Sequence, residues 1–496
     1  VELVMDRIAA CREYQGENYT DRSPLAYLDQ SRDARMMHPE TRRQVVELLT
    51  MLAERGEAET FRYIRDVVLR NPVELYSNLP PKTAHPEQKD VCFLSSGNTR
   101  SLAEQIGTPF YLYDEAGIRS GCALLREAFS WNPGHRQFFP VKATPTPGIL
   151  RILREEGQGV VCSSASELAL CTRSGFSPDE ILFMPNYPTM ADLDAAADLG
   201  CRMLLDGPGL LEKVQQRGML RDGIGLRLNP GGIFRFGTSE VQLNDLKFGF
   251  TPETAKACMR KLKALGIRSV GIHSYLAGNT LEPDYYPAAA DRLLSLAEEL
   301  VRETGLRVEW IDLGGGLGIP YRPEDRPLDI RSVGKAVQAS FGSHPLLKDI
   351  SLYTELGRWV TGPHGILITR VNHIRRGFRN LAGVDASAAN LMRPMMYGAY
   401  HHISAAGKLC VTDRQKWDVV GTVCENSDKF AIQRDLPPLE EGDLLRIHDA
   451  GAHGHSMGYQ YGGRLRCGEY LLTREKKVKQ LRRPETTEDY LRTAVF

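Results

Sequence analysis

The chain has no run of apolar residues approaching the ~20 that a membrane-spanning helix requires, so no such helix is expected. It also lacks an excess of charge. Lys and Arg number 62, and so do Asp and Glu, so nothing in the balance recruits nucleic acid or an anionic membrane. Repeats and low-complexity tracts are absent, and the 10 cysteines form neither CxxC pairs nor zinc-like spacings. Most, such as Cys162 and Cys171, stand in apolar surroundings and read as reduced core residues, which implies a cytoplasmic location. The first stretch, VELVMDRIAACREYQGENYT, mixes acids and bases without an apolar segment, so no secretory signal is expected in it. What is left is an ordinary globular composition, 42% hydrophobic and 25% charged over 496 residues. That length suits two or three domains, or one large barrel with an accessory domain.

From about residue 137 to 357 short apolar runs alternate with helix-period segments such as GILRILREE, TAKACMRKLKALG and AAADRLLSLAEELVRETG. The runs Phe138–Lys142, Val160–Ser164, Ile181–Pro185, Arg202–Asp206, Gly223–Asn229, Ser269–Tyr275, Val308–Gly314 and Ser351–Glu355 make eight strand candidates. Eight evenly spaced βα units point to an α/β fold, a closed (β/α)8 or TIM-like barrel, ahead of an open doubly wound sheet. After about residue 365 the runs ILITRVNHI, KLCVTD, WDVVGTVC, DLLRIHDAGA and EYLLT are short and turn-separated, the mark of a mostly β domain. The strand-like Thr108–Tyr113 segment precedes the barrel and is assigned to that same sheet. Before it, Pro39-Glu40 opens an amphipathic helix ending near Arg55-Gly56, and Phe61, Ile64, Val67 and Val68 form the stripe of a second. A Pro-rich linker, YSNLPPKTAHPEQKD, follows. The expected parts are therefore a helical N-terminal extension over 1–95, the barrel over 115–365, and a β-rich domain from 96–114 plus 366–496.

A barrel places chemistry where its strands end. Lys142, Asn186, Asp206, Arg227, Asn229, Tyr275, the Gly314-Gly315-Gly316 turn and Glu355 all fall there. Lys142 closes an apolar strand, and an amine so placed either snorkels to solvent or is used covalently, for instance on an aldehyde. The three glycines of IDLGGGLG let backbone amides approach an anion such as phosphate, though a plain tight turn reads the same way. In Thr354-Glu355-Leu356-Gly357-Arg358 the carboxylate suits a pyridinium nitrogen and the guanidinium a phosphate or carboxylate; the alternative is a local ion pair. Cys424, in Val423-Cys424-Glu425-Asn426-Ser427-Asp428, is a thiol beside acids or simply a buried cysteine near a turn. An imine-forming lysine, a phosphate turn and an acid for a ring nitrogen are together what pyridoxal 5′-phosphate requires.

At this point the chain resembles the fold-type III pyridoxal-phosphate decarboxylases, most nearly the diaminopimelate decarboxylases, over roughly residues 100–480. The likeness is carried by GTPFYLYDEAGIR, FFPVKATPTPGILRIL, LRLNP, GIHSYLAGN, IDLGGGLGI, TELGR, VDASAANLMRPMMYGAYHHI, CENSDKF, DAGAHGHSM and YQYGGRLRCGEYLL, in that order. The resemblance implies that Lys142 carries the cofactor, that Glu355 pairs with its ring nitrogen, and that Gly314, Gly315, Gly316 and Arg358 meet phosphate and substrate. It further implies that Arg393 and Tyr397 bind the substrate's distal carboxylate. Cys424 and Glu425 are implied to reach the partner's site in a homodimer with shared active sites, the thiol aiding protonation and Glu425 reading the distal amino group. The reaction implied is decarboxylation of a small amino acid, with meso-diaminopimelate to L-lysine first.

Four positions depart from the family pattern. Tyr275 stands where a histidine usually stacks on the cofactor, and Gly278 where a phosphate-binding serine is usual. His453 replaces a tyrosine, and Val161 replaces an acid. An aromatic can still stack, and His453 or His455 can bond phosphate. A charge-assisted hydrogen bond removed without replacement costs about 1–3 kcal/mol of cofactor affinity. The departures leave room for a specialised paralogue acting on another diamino acid or on a modified or carrier-linked amino acid. They also leave a non-catalytic binding protein as a rival. A racemase of the same fold is disfavoured, because such enzymes usually offer arginine where Glu355 stands.

Overall fold

The computed structural model describes residue 8 and residues 20–30, 39–64, 93–347 and 349–496. It divides into two units, Val1–His85 and Pro86–Phe496. Among the described residues of the first unit the helices are Ser23–Gln30, Pro39–Arg55 and Glu57–Tyr63. Val45, Leu48, Leu49 and Leu52 recur at helical spacing along Pro39–Arg55 and bury one stripe with Ile8 and Ile64, Phe61 packing beside them. Val67, Val68 and the Pro-rich linker lie outside the described residues.

The second unit begins with the helix Ser96–Ile106 and strand β1 (Phe110–Asp114), followed by the barrel. Its strands are β2 (Arg136–Pro140), β3 (Gly159–Cys162), β4 (Ile181–Phe183), β5 (Arg202–Leu205) and β6 (Ile224–Arg227). A hairpin of β7 (Ile233–Phe236) and β8 (Ser239–Gln242) intervenes, and then come β9 (Ser269–His273), β10 (Arg307–Asp312) and β11 (Ser351–Thr354). The eight barrel strands close in chain order, β11 returning to β2, and every pairing is parallel. Helices cover the outside, so the strands are buried on both faces and read as continuous apolar runs. The helix Pro147–Glu155 starts on proline and buries Ile149, Leu150, Ile152 and Leu153. Met190–Leu199 starts on a Thr189/Asp192 capping box and stops at Gly200, whose φ is 69°. Inside, Phe138, Val161, Leu182, Leu204, Trp310 and Tyr353 fill the barrel. Trp310 lies across Gly271, where any Cβ would overlap the indole.

All eight strands occur where expected, but each stops short. Lys142, Tyr275, Gly314 and Glu355 are not strand residues: β2, β9, β10 and β11 end at Pro140, His273, Asp312 and Thr354. At the rim the strands splay into loops, and the pairing thins to single bonds such as that from the Glu355 amide to the Gly314 carbonyl at 2.8 Å. Lys142 instead sits in a single 3-10 turn, Val141–Ala143.

The remaining strands are β12 (Gly365–Arg376), β13 (Asn380–Val384), β14 (Ile403–Ala405), β15 (Gln415–Val420), β16 (Lys429–Leu436), β17 (Leu444–Ile447), β18 (Gly468–Leu472) and β19 (Val478–Arg482). They join β1 in a nine-stranded sheet ordered β16-β15-β13-β12-β1-β18-β19, with β17 pairing β12 and β14. β1 lies between β12 and β18, antiparallel to one and parallel to the other. The run KLCVTD is not a strand. It follows Gly407 at φ 84°, and Leu409, Cys410 and Val411 bury no face that a sheet would need. No described helix is long and apolar enough to cross a membrane.

Candidate active site

Lys142 projects from the rim of the barrel and is exposed. Its turn is held from below by β2 and from the side by the β domain. The Ala143 carbonyl accepts the His453 amide at 2.8 Å and the Ser456 hydroxyl at 3.3 Å. The next residue, Thr144, donates to the Gly451 carbonyl at 2.8 Å, and Thr146 donates to Glu469 at 2.8 Å. Glu469 is itself fixed by Tyr113 and Arg482 at 2.7 Å each. The backbone carrying the amine is therefore set by two domains at once.

Beneath the rim lies a buried cluster of His273, Asp312 and Glu355. His273 Nε2 is 3.5 Å from Glu355 Oε1, and Asp312 Oδ1 accepts the Gly314 amide at 2.8 Å. Burial works against the charge of Glu355, but His273, Lys142 and Arg227 more than offset it and hold its carboxyl below the usual range. Burial and the neighbouring Glu355 push Asp312 well above it, so the pair holds one negative charge rather than two. Burial likewise lowers His273. Glu355 Oε1, Asp312 Oδ2 and both His273 ring nitrogens have no hydrogen-bond partner among the described residues. The three side chains place ligand atoms within 4.8 Å of one another, but Lys142 and Arg227 beside them disfavour a cation there.

Two arginines converge on Tyr321. Arg358 donates to its hydroxyl at 2.5 Å, and the Arg393 guanidinium lies 4.6 Å from its ring centroid. Arg393 is 5% exposed and shares a 2.7 Å contact with His401. Burial and nearby guanidinium groups lower His401 to about 3, so Arg393 faces a neutral imidazole. Among the described residues neither arginine has a carboxylate partner, and Arg358 makes no ion pair with Glu355. A buried guanidinium left in that condition is costly until an anion arrives. A third, Arg227, is already matched: Asn186 accepts from it at 3.0 Å, Asp206 lies at 3.5 Å, and Phe248 stacks on it at 4.2 Å.

The glycine turn borders Tyr275, which is 40% exposed. Gly314 and Gly316 take φ values of 65° and 115°, and a Cβ at Gly316 would stand 2.5 Å from the Ala277 carbonyl. Asp312 takes the Gly314 amide, whereas no acceptor among the described residues takes those of Gly315 and Gly316. His453, at φ 54°, is lowered to about 3 by burial and by Arg358, Lys142 and Arg393, so a neutral ring faces three cations. His455 is occupied elsewhere, against the Cys467 carbonyl at 3.0 Å and Glu469 at 3.5 Å. Val161 belongs to the apolar filling of the barrel.

The model of the pyridoxal-dependent decarboxylase pyridoxal-binding domain matches residues 115–362. The chain belongs to the pyridoxal-dependent decarboxylase family. This decarboxylase is 38% identical over 393 residues to Protein TabA of Pseudomonas amygdali pv. tabaci, covering 78% of this chain and 91% of that one. It is 38% identical over 398 residues to the diaminopimelate decarboxylase of Methanothermobacter thermautotrophicus, covering 79% and 92%. Among solved structures, diaminopimelate decarboxylase from Helicobacter pylori complexed with L-lysine superposes with a TM-score of 0.71 at 26% identity, over 80% of this chain and 98% of that one.

The residues present fit pyridoxal 5′-phosphate. The orphaned, ionised Glu355 oxygen suits a protonated ring nitrogen, the open Gly315 and Gly316 amides suit a phosphate, and Lys142 is the exposed amine above them. Cys424 and Glu425 are not gathered here. Both are exposed on the loop after β15, where the Tyr461 hydroxyl donates to Glu425 at 3.1 Å. Cys424 is thus not a buried cysteine. The buried polar residue of that segment is Asp428, whose carboxylate accepts the Val423 and Ala388 amides at 2.8 Å each. Tyr397 is 60% exposed. Sequence reasoning does not single out His273, Asp312, Tyr321 and His401. The first two lie inside GIHSYLAGN and IDLGGGLG, while nothing local marks Tyr321 or His401.

Proposed function

We propose that this decarboxylase removes CO2 from meso-diaminopimelate and releases L-lysine. The observation that carries the substrate class is the pair Arg358 and Arg393, drawn together on Tyr321 without a carboxylate of their own. An amino acid with a second carboxylate supplies what that site is missing. Diaminopimelate decarboxylases among the relatives support the same choice.

When bound, pyridoxal 5′-phosphate supplies an electron sink for the pair left at Cα as CO2 departs. Lys142 would hold its aldehyde end, the Gly314–Gly316 turn with His453 its phosphate side, Tyr275 its ring face and Glu355 its ring nitrogen, which leaves Arg358 with Arg393 for the substrate. Glu355 keeps a proton on that nitrogen because its own carboxyl stays ionised, while Asp312 stays neutral beside it. Arg393 and Tyr397 orient the distal carboxylate. Cys424 Sγ gives the proton to Cα and Glu425 reads the distal amine, both from the second chain of a homodimer. Six free cysteines are buried among the described residues, which supports work in the reducing cytoplasm. We assign the cofactor-binding barrel to residues 115–365, the β module to 96–114 with 366–496, and the extension to 1–95.

A second reading, a specialised paralogue for another diamino acid or a carrier-linked amino acid, is favoured by a cavity of about 700 Å³ beside Gly278, Tyr321 and Arg393. That is roomier than one free amino acid needs. Turnover assays separate the two. Stoichiometric CO2 and L-lysine from meso-diaminopimelate are expected, with ornithine, lysine, arginine and acylated or carrier-linked amino acids far slower. Faster turnover of any of those would replace diaminopimelate as the substrate.

A further inference from the structure

Tyr275 and Gly278 lie three positions apart on the loop after β9, and their geometry makes them a single device. A Cβ built on Gly278 would overlap the Tyr275 hydroxyl oxygen, so any side chain at 278 evicts that hydroxyl from its place. The ring runs back along the glycine turn, with Cε2 at 3.7 Å from where a Gly315 Cβ would be. The hydroxyl has no hydrogen-bond partner among the described residues. It stands at Gly278, whose neighbour Ala277 turns its carbonyl to Gly316, and the Gly315 and Gly316 amides are open on the glycine turn. Arg358 acts on the same phenol.

We propose that the Tyr275 hydroxyl donates to the cofactor phosphate and that residue 278 is glycine to admit it. The two departures from the family pattern are then one exchange. A tyrosine brings its hydroxyl from position 275 into the space that a side chain at 278 would fill. Burial raises the phenol above its ordinary value, and the group therefore stays a donor at neutral pH. The inference rests on reading the Lys142 rim as the pyridoxal phosphate site.

The test uses the full chain stripped of cofactor and titrated separately with pyridoxal 5′-phosphate and with pyridoxal, which lacks the phosphate. Binding is read by absorbance and by protein fluorescence. Tyr275→Phe is expected to weaken pyridoxal 5′-phosphate by about 10- to 100-fold, the worth of one hydrogen bond to a charged group, and to leave pyridoxal unchanged. Gly278→Ala is expected to do the same, since its methyl displaces the hydroxyl without supplying a donor, and Tyr275→His with Gly278→Ser together to recover most of the loss. Wild-type affinity in Tyr275→Phe, equal loss of both ligands, or a Gly278→Ala protein that binds normally each overturns the proposal. A wild-type chain that binds neither ligand removes the cofactor site itself, and with it this proposal. That failure is seen before any variant is made.

Discussion

Arg393 and Glu425 are assigned to the two ends of one substrate, yet the chain treats them oppositely. Arg393 is 5% exposed, held by His401 and stacked on Tyr321. Glu425 is exposed, and among the described residues its carboxylate accepts from the Tyr461 hydroxyl alone. The difference separates residues that folding of one chain fixes from residues that one chain merely presents. Burying a guanidinium without a carboxylate partner is a cost the fold bears for a ligand. An exposed glutamate beside an exposed cysteine carries no such cost and gains position only against a second surface.

The sharpest way to break that comparison is at the amine itself. Lys142→Ala should abolish the visible absorption that pyridoxal 5′-phosphate gives on binding and lower turnover by about 1,000-fold or more, with wild-type far-UV dichroism. Next is a mixing experiment. Lys142→Ala and Cys424→Ala chains, each nearly inactive alone, should regain about a quarter of wild-type sites when refolded or exchanged together, as shared sites in a C2 dimer require. No recovery would place Cys424 in its own chain's site, and an active Cys424→Ala chain would place it outside catalysis. Arg393→Met should raise KM for meso-diaminopimelate by about 10- to 100-fold, since it removes a buried guanidinium that would pair with the distal carboxylate. A smaller contrast lies in stability. Arg393→Met should shift the denaturant midpoint measurably, whereas Glu425→Gln should change stability by less than about 0.5 kcal/mol.

A separate effect is in pH. His135, His401 and His453 are lowered to about 4, 3 and 3, chiefly by burial. Their unfolded forms take up protons near pH 6.5, and the folded chain does not. Below that value the unfolded state binds more protons, so stability should fall as pH drops from 6.5 towards 4 and be flat above 6.5. Equilibrium unfolding at stepped pH checks the sign. A fall on raising the pH from 7 to 8 would contradict it.

The barrel is legible in the sequence because buried strands such as FFPV and VEWID leave unbroken apolar runs that helices punctuate at regular spacing. Lys142, Glu355 and the glycine turn are legible as strand-exit residues of the right chemical types. What stays hidden is whatever depends on contacts far apart in the chain. The partnership of Tyr321 with Arg358 and Arg393 joins a loop to two short helices, Gly357–Thr361 and Arg393–Tyr397, and His401 is held beside Arg393 by the His448 carbonyl that the β14–β17 pairing brings alongside. The strands read too long in sequence for a related reason, since residue type does not reveal where a closing sheet begins to splay. KLCVTD misleads because β-branched and apolar letters can lie on a turn that buries neither face.

The turn that carries Lys142 is fastened to the His453 amide and the Gly451 carbonyl, both contributed by residues beyond the barrel. The barrel is therefore not a transplantable engine. Exchange of its C-terminal sheet for that of a relative resets the pedestal of the amine, even with every barrel residue untouched. Inheritance of this activity passes through both halves together, and drift in residues near 451–456 is a route by which the lineage can alter the cofactor's seat without altering the barrel at all.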